Sequence, residues 1–255
     1  MKQNGYKFLI FTFVLTYLCH GTLAILSRQG IVQLADFWGQ MLFILGGSSP
    51  TIFAFEIVHQ YYSKPERTDF YRALTHFKLP IGWYLFAVLG PILLGVLFLV
   101  IAAITSQSLW GQVQSPLLFI PFFFSSILFG GLEEVGWRGI LQERLKGKFS
   151  PLPLAIIIGV IWGAWHLPAL FIAGTGYDLT LFMIQGLVFS LFLTWLFQRT
   201  NSIPLAVFFH ASINASAAIG LMLTTQTGGY VYGYLMMAFL IGTLLLLKLS
   251  RERSS

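Results

Sequence analysis

Charge is scarce in this chain. Only 9% of its 255 residues are Asp, Glu, Lys or Arg, against 56% hydrophobic, whereas a soluble domain carries roughly 25% charged residues. Too little polar surface remains to coat a globule in water, which excludes an ordinary soluble domain. The single cysteine, Cys19, excludes an internal disulfide framework and a Cys-rich metal site. Internal repeats and low-complexity tracts are absent, and with them the duplicated halves of many secondary transporters. There is no His-Glu-x-x-His helix and no Gly-x-Ser-x-Gly elbow, and no Ser or Cys nucleophile has an evident partner. Bulky Tyr17-Leu18-Cys19 stands where a secretory cleavage site needs small residues, so the first apolar run reads as an uncleaved span.

What the chain does have is long apolar runs, about 20 residues each being enough to cross a bilayer. Eight qualify, at about 7–27, 37–58, 80–104, 114–136, 151–173, 179–198, 203–223 and 229–249. The expected fold is all-α, a polytopic bundle of about eight transmembrane helices forming one domain over residues 1–255. Gly46-Gly47-Ser48-Ser49-Pro50 should kink or unwind the second run unless neighbours satisfy the freed backbone groups. The net charge of +6 does not indicate nucleic acid, because the basic residues lie in short loops between spans. Fourteen of the fifteen Lys and Arg fall on one side, with Arg28 alone on the other. The bias toward basic cytoplasmic loops then predicts a multi-pass cell-membrane protein with both termini cytoplasmic.

Ionisable groups inside a bilayer are costly and default to a functional role. Glu133 and Glu134 follow the apolar run Phe119–Phe124. On a regular helix Glu134 and Arg138 pair at i, i+4, while Glu133 is rotated by roughly 100° and points elsewhere, beside Trp137. His166 lies in the fifth run, and His210 and Asn214 share a face of the seventh. His210 sits roughly 10 Å past the start of its helix and His166 roughly 20 Å past its own, so the depths agree only if the fifth run tilts or begins outside the hydrocarbon. Such a set suits amide hydrolysis. A carboxylate beside an imidazole can hold and deprotonate a water, and a second imidazole with an amide can donate to an oxyanion. Glu133, His166 and His210 could equally ligate a divalent metal such as Zn2+; spacing leaves both open. His20 has no visible partner, and Glu56 and His59 read as interfacial.

Glu133-Glu134-x-x-x-Arg138, Trp162-x-x-x-His166 and His210-x-x-x-Asn214 resemble, in order and interval, the three motifs of the CAAX prenyl protease and bacteriocin-processing (CPBP, or Abi) family, over roughly residues 115–220. Trp162 stands where that family usually has Phe, which implies altered packing with the chemistry kept. The resemblance implies an intramembrane endopeptidase acting on a membrane-associated peptide or protein. Glu133 would be its water-activating base, assisted by His166; His210 and Asn214 the oxyanion pair; Glu134 and Arg138 the support. The family has been described both as metal-dependent and as glutamate-type, and some bacterial members are linked to bacteriocin self-immunity. A catalytically silent scaffold or immunity protein of the same fold is therefore the alternative expectation.

Overall fold

Each apolar run folds as helix in the computed structural model, which describes residues 3–104, 114–172, 179–220 and 230–254. The expected run ends at 173, 221–223 and 229 lie outside the described residues. Every regular element is helical among them: α1 (Gln3–Arg28), α2 (Phe37–Gly47), α3 (Ser49–Tyr61), α4 (Lys64–Leu74), α5 (Ile81–Ile104), α6 (Phe119–Leu128), the short α7 (Glu134–Gly136) and α8 (Glu143–Leu145), α9 (Pro151–Ile172), α10 (Leu179–Thr200), α11 (Ile203–Ala218) and α12 (Tyr230–Ser254). Five stretches are long and apolar enough to span a bilayer: Gly5–Arg28, Ile81–Ile101, Pro116–Leu145, Pro151–Ile172 and Leu179–Thr200. α2 and α3 together form a sixth, bent by 46°. α11 and the Met237–Leu249 part of α12 are apolar but shorter within the described residues, so among those residues up to six runs meet the length of a span. This is a multi-pass helical membrane protein.

Its outer surface is apolar, as lipid requires. Leu85, Leu89 and Leu93 form an exposed stripe at helical spacing on α5. The centre is α11, which packs against α5, α6 and α10 and buries most of its side chains from Ile203 to Ser216. Small residues permit the close approach of α9 to α10, since a Cβ on Gly159 would stand 3.0 Å from Leu187 Cα.

Two helix defects are repaired by α1. The break between α2 and α3 falls at Gly47-Ser48-Ser49, as the Gly-Ser-Pro run predicts. Thr16 Oγ1 donates to the Gly46 carbonyl at 2.7 Å, pairs with Ser49 Oγ at 2.6 Å and accepts from Trp165 Nε1 at 2.7 Å. One turn on, Pro168 lies inside α9 and offers no N–H to the carbonyl four residues back. That carbonyl, Ala164 O, accepts from the Tyr17 hydroxyl at 2.6 Å.

The fourth run differs from the single helix expected. α6 stops at Leu128, Gly130 takes φ +128°, and the chain resumes as a 3-10 turn over Gly131–Glu133. After α7 comes a π-helix over Trp137–Gln142. The left-handed φ at Gly130 is what an L side chain resists, and it ends α6 there. Glu133 and Glu134 thus stand at a break rather than along a regular helix.

Candidate active site

Six side chains singled out from the sequence are brought together. Glu133, His166, His210 and Asn214 line one cavity of about 340 Å³ between the α2–α3 break and α9, α10 and α11. Glu134 and Arg138 lie immediately behind, both buried. The depth mismatch expected for His166 does not keep it from this cavity.

The two carboxylates part company, at a 3-10 turn rather than along one regular helix. Glu134 is clamped on both oxygens: Oε2 accepts from Arg138 Nε at 2.6 Å, and Oε1 is 2.7 Å from His210 Nδ1. A carboxylate only accepts, so His210 carries its Nδ1 proton into that bond, which leaves Nε2 on the other edge of the ring. Arg138 continues the chain of bonds, donating Nη1 to Gln142 Oε1 and to Thr194 Oγ1, both at 3.0 Å. Gln142 Nε2 donates in turn to the Thr194 carbonyl at 3.2 Å. Every member is buried and partnered, as a buried polar network must be to be stable. The π-turn sets this up, since Arg138 and Gln142 both lie within it and both turn inward.

Glu133 belongs to a different set. Its Oε2 accepts the indole N–H of Trp162 at 3.0 Å, a role that packing alone does not foretell. The Trp162 ring sits 4.1 Å, centroid to centroid, from the ring of His166 and 6.1 Å from that of His210. His166 Nδ1 is 3.0 Å from the Trp162 carbonyl. Because a carbonyl only accepts, the proton is on Nδ1 and the Nε2 lone pair is left to the cavity. Among the described residues no His, Cys, Asp and Glu side chains gather as three or more around a metal position. With Glu133 Oε2, His166 Nδ1 and His210 Nδ1 engaged, the atoms left to the cavity are the second oxygen of Glu133 and the Nε2 atoms of His166 and His210.

Residue-by-residue reading of the sequence misses three contributors. Gly130 backs the site: a Cβ there would fall on Asn214 Nδ2 and stand 3.5 Å from His210 Nε2. The signal in the sequence was the Gly130-Gly131 pair just before the carboxylates. Gln142 and Thr194, the outer partners of Arg138, had no signal beyond being polar within apolar surroundings. His20 is also not isolated, because its Nε2 lies 2.9 Å from the Phe43 carbonyl and its ring stacks on that of Phe43.

Comparison with known proteins points the same way as this geometry. The family model of the type II CAAX prenyl endopeptidases, Rce1-like, matches residues 115–216. The chain is also 27% identical over 249 residues to a CAAX prenyl protease 2 of Methanococcus maripaludis, an alignment covering 89% of this chain and 88% of the relative. The resemblance that the three motifs imply is thereby borne out: from residue 115 to residue 216 the chain matches the Rce1-like type II CAAX prenyl endopeptidase family.

Proposed function

We propose that the protein is an intramembrane endopeptidase that hydrolyses a peptide bond of a membrane-associated protein or peptide with a water activated by Glu133. The observation that carries this reading is the single cavity lined by Glu133, His166, His210 and Asn214, with His210 locked from behind by Glu134. Water held between the free oxygen of Glu133 and Nε2 of His166 gives up a proton to Glu133 as its oxygen attacks the scissile carbonyl. The resulting oxyanion accepts hydrogen bonds from Asn214 Nδ2 and, when that atom is protonated, from His210 Nε2. Glu133 then hands its proton to the leaving amine, and the C–N bond breaks. Water is consumed, no electrons change hands, and the chain's own residues carry each step. Arg138 and Glu134 act at one remove by holding the His210 ring. The similarity to a CAAX prenyl protease supports a lipid-anchored tail as the substrate class. Both termini are read as cytoplasmic, with the basic loops.

The test is turnover of a quenched, prenylated peptide by protein purified in detergent. Wild type should cleave it, Glu133→Gln should lose at least about 100-fold in kcat, and His210→Ala should also lose most of its activity. A chelator should leave the wild-type rate unchanged. Chelator sensitivity would move the water onto a metal, equal turnover in Glu133→Gln and wild type would remove Glu133 as the base, and background alone from both would leave a scaffold with an inert polar cluster.

A further inference from the structure

The residue at position 162 departs from the Phe that the motif resemblance leads one to expect, and the departure adds one hydrogen-bond donor where Phe has none. Trp162 Nε1 donates to Glu133 Oε2 at 3.0 Å. The rest of the indole is held on three sides. Phe182 stacks on it with centroids 6.0 Å apart and planes 13° from parallel, and His166 lies against it at 4.1 Å. Gly186 of α10 leaves the space for its six-membered ring, because a Cβ there would stand 2.9 Å from Trp162 Cζ3 and 3.0 Å from Cε3. A bulky ring fitted into a slot made by a glycine has little freedom to swing its N–H away. The acceptor needs such help. Glu133 is buried at the end of a 3-10 turn, and three χ torsions decide where its carboxylate points.

We propose that Trp162 is a positioning residue of this chain: its indole N–H holds one oxygen of Glu133 and thereby aims the other at the water. The inference rests on the peptidase reading for its kinetic consequence but not for the hydrogen bond itself. Gly186 is the second half of the device, since it keeps the indole at the depth where its N–H meets the carboxylate. The bond goes to a charged group when Glu133 is ionised, and such bonds are roughly twice as strong as neutral ones. Its loss from the reacting state corresponds to about a tenfold slower step.

Three variants separate ring shape from the N–H. Trp162→Phe removes the donor and part of the ring. Replacing Trp162 by benzothienylalanine, an isostere with sulfur in place of N–H, removes the donor alone. Gly186→Ala keeps the donor and displaces the ring. All three should lower kcat about tenfold or more and leave KM within about twofold. The bond is read separately by nitrogen-15 labelling of the indoles, with the Trp162 signal identified by its loss in Trp162→Phe. Glu133→Ala should shift that signal and speed its exchange with solvent. An isostere that turns over like wild type would overturn the proposal, and so would a Trp162 signal unmoved by Glu133→Ala. Undiminished turnover in Glu133→Ala with a shifted indole signal would instead overturn the reading of Glu133 as the water-activating base, an outcome distinct from both.

Discussion

A methyl group on Gly130 would meet two obstacles at once. The residue has φ +128°, a conformation that costs an L side chain roughly 1–3 kcal/mol, and the new Cβ would fall on Asn214 Nδ2. Of the two partners, the Asn214 amide is the one that can swing away, so the strain is relieved by moving the very group proposed to meet the oxyanion. Gly130→Ala should therefore melt within a few degrees of wild type in detergent yet lose about 100-fold or more in kcat. Gly147→Ala, in open space, should be neutral in both. A Gly130→Ala enzyme with full turnover would show that Asn214 is not needed where it stands. At this scale the sequence is legible where chemistry forces a rare residue type into an apolar run, as with Glu133, His166, His210 and Asn214. It is silent where the cause is a backbone angle or a distant partner. Nothing near Trp162 in sequence announces that its indole N–H meets Glu133, because that bond depends on the approach of two helices and on Gly186 in a third.

Helix breaks are where elements meet function here. The break between α2 and α3 lines the cavity, with Gly47, Ser48 and Thr51 on its wall, and Thr16 of α1 holds it to α9 through Trp165. Thr16→Val keeps the shape but takes the Thr16 hydroxyl away from the Gly46 carbonyl, the Ser49 hydroxyl and the buried Trp165 N–H. Each unsatisfied group costs about 1–3 kcal/mol, so the variant should unfold more readily in a denaturant titration by at least about 2 kcal/mol; a smaller loss would mean that other groups take over these bonds. The Gly-Ser-Pro run makes this break legible in the sequence, whereas the break at Gly130 is masked by apolar residues on both sides. α4 gives a pH-dependent counterpart. Glu66 accepts from the Ser63 backbone N–H at 2.8 Å and from its hydroxyl, and it pairs with Arg144 at 2.9 Å. These bonds, Ser63 first, hold its carboxyl down to about 2 from an ordinary 4.5. A depressed carboxylate stabilises above its unfolded pKa, and the contribution fades as pH falls through the folded one. The stability gap between wild type and Glu66→Gln should thus be constant above about pH 4.5 and close between there and pH 2. A gap independent of pH would assign the effect to shape rather than charge.

Across the whole molecule, one end of the bundle gathers three loops that sequence reading places on the same side. Glu66 of α4 pairs with Arg144 of α8, and Arg144 stacks over Tyr62 at 4.1 Å. Ser202 Oγ, just before α11, donates to the His76 carbonyl at 2.7 Å. The 59–79, 137–150 and 199–203 loops are therefore joined at one end, and they hold most of the basic residues; Arg28 lies at the end of α1, in the loop that leads to α2. Arg138, counted with the loops by position, is in fact a buried partner of Glu134, yet the asymmetry survives without it. A bilayer carries such an excess on its cytoplasmic face, so the His210 end of the cavity should lie roughly 10 Å below that face, seven residues into α11 at 1.5 Å each. Cys19 is buried, so Cys19→Ala gives a clean background for single reporters at the exposed Gln29 and Lys148. In intact cells a membrane-impermeant maleimide should label Gln29→Cys at once and Lys148→Cys only after the membrane is opened. The reverse pattern would invert the protein and place the proposed hydrolysis near the outer face, where a substrate anchored to the cytoplasmic leaflet could not present its tail. Labelling of both sites in intact cells would break the alternation of spans itself, and with it the argument that the charged end and the catalytic cavity share one face of the membrane.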